Sequence, residues 1–280
     1  MFIFVIIDKL YGMFGFIIKK NFCDGWDNLL SVVVTNLIFL FVGFGLVYLN
    51  LYAMRVHLYL IYVSFPITCI IFSILVFAFG DLAAKIANFE GIHLLDYFKN
   101  ILKVLKDATI FGFLLSVFIM LSIFCFRFYF IQNKSIPYAF VGAIILWVDI
   151  FVLLSLQWFI PFRSLMKNDL KKCLKKSFIV FFDNTGFTIM MALYNFVLFL
   201  LSIFFIGLIP SMSGILISCT NALRLRLYKY DYLEEHPELK TKKERKNIPW
   251  EELIYEDRET LGPRKLRSFL FPWKDDQNLD

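Results

Sequence analysis

The chain has 280 residues, a net charge of +6 and a hydrophobic fraction of 59% that includes 35 phenylalanines. A soluble domain is about 45–50% apolar, and here the excess lies in runs near the ~20 residues that cross a bilayer as a helix. Composition therefore excludes an ordinary soluble protein and predicts an all-α membrane helix bundle. The basic residues cluster in connectors without a basic and aromatic face, so we expect no nucleic-acid partner.

Six apolar runs of bilayer length predict six transmembrane helices. They lie near residues 29–51, 58–79, 108–131, 138–160, 178–205 and 211–227. Pro66 falls inside the second run, which neighbouring helices in a membrane bundle can accommodate, and Pro161 is expected to stop the fourth. We assign residues 1–228 to a transmembrane domain and 229–280 to a charged cytosolic tail.

The first twenty residues are apolar but are interrupted by Asp8 and Lys9. Charges at this position favour an N-terminal helix that lies in the membrane interface. A seventh span is the alternative. The segment shows no basic start and no small-residue cleavage site, so we do not interpret it as a removable signal peptide.

Two basic segments lie in the longer connectors and predict amphipathic helices at the membrane surface. The lysines of this predicted basic patch are Lys99, Lys103, Lys106, Lys171, Lys172, Lys175 and Lys176. We expect them to bind the anionic inner leaflet of the bilayer. Docking of a cytosolic partner protein is the alternative.

The distribution of lysine and arginine predicts the orientation. The basic residues of the connectors alternate, and the positive excess always falls on the same side of the membrane. Because cytoplasmic loops carry this excess, we predict a multi-pass protein of the bacterial plasma membrane with both termini in the cytosol.

Three polar residues fall at bilayer depth within the predicted spans: Asp149, Asn195 and Asn221. Ionisable groups at this depth are costly and are typical of functional sites. One hypothesis is a shared polar pocket or proton relay centred on Asp149. The other is hydrogen bonding between helices, with each bond contributing about 0.6–2 kcal/mol.

The sequence shows no nucleophile motif, phosphate loop or zinc motif, so we predict no catalytic residues and no cofactor. Glu90, His93 and Asp96 have a helical spacing that could place metal ligands on one face. No second ligand cluster accompanies them, and solvated helix surface is the simpler interpretation, so we predict no metal. The five cysteines are widely spaced, which favours isolated reduced thiols.

The tail combines a charge run with a short helix signal. Pro249 and the acids after Trp250 mark a helix start, and Gly262-Pro263 marks a stop after Leu261. Close to the C-terminus, Phe269, Phe271 and Trp273 stand among basic residues. Exposed aromatics of this density usually dock, and the candidate surfaces are the inner leaflet, the protein's own loops or a partner.

Over roughly residues 29–229 the chain resembles the YesL-type family of bacterial integral membrane proteins. The resemblance rests on the order of elements and on sparse motifs: Pro66-Ile67-Thr68, Asp96-Tyr97-Phe98, the segment 177–188 and Pro210-Ser211. Members are often encoded beside carbohydrate importers and polysaccharide-degrading enzymes, which implies a role near sugar uptake. The tail beyond about Tyr230 departs from the family pattern.

Three functions remain open from the sequence. The first is a non-enzymatic accessory or scaffold subunit of a solute transport system, suggested by the resemblance, the basic connectors and the aromatic tail. The second is a transporter in its own right with a polar site at Asp149. The third is a membrane-embedded enzyme, for which the sequence offers no catalytic constellation.

Overall fold

The fold was determined as a computed structural model that describes residues 2–133, 135–238, 244, 248–262 and 264, with side chains from Met13 onward. Within these residues every regular element is a helix. The α-helices are α1 Phe2–Asp27, α2 Leu29–Val56, α3 Ile61–Ala87, α4 Leu94–Phe126, α5 Ile136–Leu156, α6 Phe159–Met166, α7 Leu170–Asp183, α8 Thr185–Phe204, α9 Ser211–Glu235, α10 Trp250–Leu253 and α11 Tyr255–Leu261. A 3-10 turn precedes α3 at Leu58–Leu60, and a π-helical turn follows α4 at Arg127–Gln132.

Five helical stretches of the described chain are long and apolar enough to cross a membrane. They are Leu29–Val56, Leu58–Ala87, Leu94–Gln132, Ile136–Met166 and Thr185–Phe204. The prediction of an all-helical protein with several bilayer-length helices is therefore confirmed. The sixth predicted span, residues 211–227, falls in α9, which is not among these five stretches.

Asn36 fixes the position of the reversal between α8 and α9. Its amide nitrogen donates to the carbonyl oxygens of Leu208 at 2.8 Å and Pro210 at 3.0 Å, and its Oδ1 accepts from the Ser213 backbone N–H at 3.1 Å. Since Asn36 lies only seven residues beyond Leu29, the reversal meets α2 about 10 Å from the start of that helix. The first turn of α9 therefore packs beside the beginning of α2.

α3 packs closely on α4, the helix that contains the first predicted basic segment with Lys99, Lys103 and Lys106. A Cβ atom on Gly112 would lie 2.7 Å from the Ile70 Cα and 2.8 Å from the Cys69 carbonyl oxygen, so the glycine lets the two backbones approach. α4 runs without interruption from Leu94 to Phe126. The predicted separate surface helix before residue 108 is thus wrong: it forms the first turns of α4.

Two further boundaries differ from the prediction. The predicted fifth span at 178–205 is divided, because α7 ends at Asp183 and α8 begins at Thr185. Pro161 does not stop the fourth span, since α5 has already ended at Leu156. The proline instead lies in the first turn of α6, where its missing N–H removes no helical hydrogen bond.

The chain divides into two compact units, Asp24–Arg224 and a second unit made of Met1–Cys23 with Leu225–Asp280. In the second unit the Lys19 ammonium donates to the Gly262 carbonyl oxygen at 3.0 Å. Ile254 and Leu261 are buried there. α11 ends at Leu261, followed by Gly262 at φ +71°, which is the stop that the sequence predicts.

Candidate functional site

Asp149 and Asn195, two of the predicted intramembrane polar residues, each bond to a neighbouring helix. Asp149 on α5 accepts a hydrogen bond at Oδ1 from the Ser122 hydroxyl of α4 at 3.0 Å. Asn195 on α8 accepts at Oδ1 from the Ser218 hydroxyl at 2.8 Å, and its amide nitrogen approaches the Cys219 sulfur of α9 at 3.1 Å. These bonds join α4 to α5 and α8 to α9.

Asn221, the third predicted residue, lies on α9 and is 1% exposed. Its amide nitrogen donates to Oδ2 of Asp24 in α1 at 2.7 Å, and Asp24 is itself buried. Asp149, Asn195 and Asn221 thus have partners in three different helix pairs. Interhelical hydrogen bonds of this kind hold apolar helices together where no water competes.

A polar pocket of about 570 Å³ lies among α3, α4, α6 and the connections that follow α3 and α6. We call this the polar pocket. Its charged lining residues are Asp81, Lys85, Glu90, Lys103, Asp107, Arg163 and Lys167. Its uncharged polar lining residues are Asn88, Asn100, Ser164 and Asn168. No comparable density of polar groups was predicted from the sequence at this position.

Arg163 organises the charges of the polar pocket. Its Nη1 lies 2.7 Å from Oδ1 of Asp81, and its Nε lies 3.6 Å from Oδ2 of Asp107. The guanidinium side chain is only 12% exposed and stacks 5.1 Å from the centre of the Phe77 ring. One buried cation therefore donates a hydrogen bond to Asp81 and forms a longer ion pair with Asp107, in which its Nε makes no hydrogen bond to a described residue.

Two backbone features shape the pocket wall. A Cβ on Gly80 would lie 2.9 Å from the Ser164 hydroxyl and 2.5 Å from Cγ2 of Ile160, so glycine is needed for α6 to approach α3. Lys167, which follows α6, has φ +50°. A side chain other than glycine is disfavoured in this left-handed region, so the α6–α7 connection turns sharply at a lysine that lines the pocket.

Besides Arg163 Nε, which has an ion-pair contact but no hydrogen bond, three side chains lining the polar pocket carry buried hydrogen-bonding atoms that have no protein partner among the described residues. They are Asn100 Nδ2, Ser164 Oγ and Asn168 Nδ2. Asn100 is 7% exposed and Ser164 is 8% exposed. Buried polar atoms are usually hydrogen-bonded, and each exception needs an explanation. This cluster, which sequence reasoning missed, is the strongest candidate binding site.

The predicted basic patch is split between α4 and α7. On α4, Lys103 lines the polar pocket, while Lys99 and Lys106 are exposed away from its lining. On α7, three lysines are exposed: Lys171, Lys172 and Lys175. The fourth, Lys176, lies 3.4 Å from the Met166 sulfur and 6.0 Å from the Phe162 ring centre.

Cys173 and the histidine-containing segment add no reactive centre. Cys173 is buried on α7 and its thiol donates to the Asn168 carbonyl oxygen at 3.4 Å, and burial raises the pKa of that thiol to about 11. A thiol with so high a pKa is almost wholly protonated near neutral pH and is a poor nucleophile or metal ligand.

In the segment with Glu90, His93 and Asp96, Asp96 forms an ion pair with Lys85 at 2.9 Å. No cluster of metal-ligating side chains occurs in the part of the chain described here.

The second unit contains a smaller set of polar contacts. Arg226 lies 5.5 Å from the Trp250 ring centre, and the Tyr228 hydroxyl donates to Asp257 at 3.3 Å. These contacts join the end of α9 to the tail helices. The predicted docking residues Phe269, Phe271 and Trp273 lie outside the described residues.

No family model matches the chain, and neither a curated protein nor a solved structure matches it. The function therefore has to be inferred from the residues and their geometry.

Proposed function

We propose that this chain is a six-span protein of the bacterial plasma membrane, with both termini in the cytosol, that serves as a non-enzymatic accessory or scaffold component of a solute transport system. The solute class suggested by the YesL-type resemblance is carbohydrate. The polar contacts within the bilayer-length helices support a scaffold role, and one contact in the second unit supports the topology.

That contact is the hydrogen bond from Lys19 to the Gly262 carbonyl oxygen. Residues joined in this way lie on the same side of a membrane, so the chain between them must cross an even number of times. Five bilayer-length stretches lie between them. An even number therefore requires either a sixth crossing by α9, as proposed, or a hairpin of α8 and α9 that enters and leaves on one side. The hairpin is the arrangement nearer to the Asn36 contacts of the reversal. The basic residues near both ends favour the cytosol for this shared side.

A scaffold role is favoured by what the intramembrane polar groups do. Asp149, Asn195 and Asn221 each bond to another helix. A transporter instead needs polar groups facing a path for its solute. Polar residues that form hydrogen bonds between helices stabilise a fixed bundle, which suits a subunit that holds partners in place.

The topology can be tested by labelling the α8–α9 reversal. A single cysteine at Leu208, in a variant whose five native cysteines are replaced, should react with a membrane-impermeant maleimide added to intact cells. A cysteine at Glu259 in the tail should react only after the cells are opened. Protection of position 208 from both sides of the membrane would contradict the sixth crossing and favour a hairpin that enters and leaves from the same side.

The scaffold role can be tested by purification and flux. Affinity purification of the full chain in mild detergent should recover a stable membrane partner that belongs to a transport system. Proteoliposomes containing the chain alone should show no solute flux. Flux that depends on Asp149 in such proteoliposomes, and is lost in Asp149→Asn, would instead establish the transporter.

A further inference from the structure

The unsatisfied hydrogen-bonding groups of the polar pocket are donors. Asn100 Nδ2 and Asn168 Nδ2 can only donate hydrogen bonds, and the Ser164 hydroxyl can donate one. Of the pocket carboxylates, Asp81 already accepts a hydrogen bond from Arg163, and the charge of Asp107 is paired with Arg163 at 3.6 Å. The free binding capacity of the pocket therefore suits a ligand rich in acceptor atoms.

The free charges of the pocket point in the same direction. Lys103 and Lys167 line the pocket, and among the described residues neither forms an ion pair. Lys85 is engaged by Asp96, and Glu90, the remaining acid of the lining, is exposed to solvent. Two free ammonium groups beside three unsatisfied donors form a surface complementary to an oxyanion.

We propose that the polar pocket binds a phosphate group through Asn100, Ser164, Asn168, Lys103 and Lys167. Phosphate offers several acceptor oxygens and a negative charge, so it can satisfy amide, hydroxyl and ammonium donors at once. A volume of about 570 Å³ accommodates a phosphate with the group that it is attached to. The phosphate can belong to a lipid headgroup or to a soluble compound, and the experiment below distinguishes these sources. The proposal does not depend on the scaffold function.

The principal test measures thermal stability of the full-length protein in a neutral detergent. Inorganic phosphate is titrated against chloride at matched ionic strength, which removes general screening effects. In a second arm, micelles contain short-chain phosphatidic acid or, as the control, phosphatidylcholine of the same chain length. A ligand concentration about 100 times the dissociation constant should raise the midpoint of thermal unfolding by about 5 °C.

A response to inorganic phosphate indicates a soluble ligand, and a response to phosphatidic acid alone indicates a lipid headgroup. Either result supports the site when the pocket variants abolish it. No stabilisation in either arm overturns the proposal.

Lys103→Ala with Lys106→Ala as its matched control separates the pocket from the general basic surface. Both lysines lie on α4 and are exposed, but only Lys103 lines the pocket. Loss of one charged hydrogen bond should weaken phosphate binding roughly ten- to a hundredfold in Lys103→Ala. Lys106→Ala should keep the affinity of the wild type. An equal loss in both variants would mean diffuse attraction to the surface and would overturn the proposal.

Two further variants distinguish binding from folding. Asn100→Leu removes a buried donor that has no protein partner, so the variant should unfold at the wild-type temperature or above it while losing the response to phosphate. Lys167→Gly relieves a positive φ of +50°, so it too should keep its stability and lose the response. A retained response in both variants would contradict the assignment of these side chains.

Discussion

Asn36 and Asn100 are both asparagines buried on bilayer-length helices, with exposures of 0% and 7%, yet their surroundings differ completely. Asn36 makes three hydrogen bonds to the reversal between α8 and α9. The Asn100 amide nitrogen has no protein partner in the part of the chain that the structure describes. Burial and residue type alone therefore do not separate a structural asparagine from a candidate binding residue.

The same difference divides the two polar regions of the larger unit. Asp149, Asn195 and Asn221 each have a partner on another helix. In the polar pocket Arg163 and Lys85 are paired with acids, but Lys103, Lys167 and a cluster of buried donors are not paired within the described residues. Satisfied buried polar groups stabilise a fold, and unsatisfied ones cost free energy that a ligand can recover. The pocket is therefore the better place to look for function.

The largest expected effect comes from removing the cation that pairs the pocket carboxylates. Arg163→Leu leaves Asp81 and Asp107 without their cationic partner, and a broken buried ion pair typically costs about 3–5 kcal/mol. We expect the lower part of this range, since Asp107 is partly exposed. Denaturant titration in mixed micelles measures the change in the free energy of unfolding.

Lys172→Leu is the matched control for Arg163→Leu. Lys172 lies 3.6 Å from Asp169, and both side chains of this pair are largely exposed. An exposed pair contributes about 0–1 kcal/mol, so this variant should differ little from wild type. Similar losses in the two variants would show that Arg163 is not buried as described.

The asparagine comparison itself predicts effects of opposite sign. Asn36→Leu leaves two carbonyl groups and one N–H of the α8–α9 reversal without partners, and we expect a loss of about 2–4 kcal/mol. Asn100→Leu should leave stability unchanged or raise it. Both variants replace asparagine by a residue of similar size, so the same denaturant titration compares them directly. Equal destabilisation would mean that Asn100 has a structural partner.

Packing of α3 on α4 predicts a smaller effect. A Cβ in Gly112→Ala would approach the α3 backbone to 2.7 Å, and overpacking of this kind costs about 1–3 kcal/mol. Gly43→Ala on α2 is the control, because a Cβ there meets no atom within 4 Å. Its greater helix propensity should leave the control variant as stable as wild type or slightly more stable. The difference between the unfolding midpoints of the two variants in detergent measures the cost of crowding the contact between α3 and α4.

Much of the fold was accessible from the sequence because helices and their ends depend on local patterns. Apolar runs predicted the bilayer-length helices, Pro66 lies within α3 as expected, and the stop after Leu261 is present. The separate surface helix before residue 108 was wrong because amphipathic and apolar segments can share one helix. Lys99, Lys103 and Lys106 indicated a polar environment for this segment, but they could not show that the helix continues past residue 108 into the apolar run.

The polar pocket could not be predicted for a different reason. Arg163 and Asp81 are separated by 82 positions in the chain, and periodicity carries no information about such a pairing. Their charges were visible, but near helix ends they also serve orientation. The sequence reveals still less about the missing hydrogen bond of the Asn100 amide, because it depends on whether neighbouring helices such as α3 and α6 place an acceptor beside it. Asp149, which attracted attention as a charge at bilayer depth, has a simple partner in Ser122.

Asp149→Asn predicts the smallest effect and decides what that residue does. An asparagine oxygen can still accept the hydrogen bond from the Ser122 hydroxyl, so a residue that only joins α4 to α5 should change the free energy of unfolding by less than about 0.6 kcal/mol. Asp149→Leu, which removes the acceptor, should lose about that amount or more. Ser122→Ala should match Asp149→Leu, and the double variant should be no less stable than either single one, because the two changes remove the same bond. Additive losses in the double variant would show that Asp149 has a second role beyond this contact.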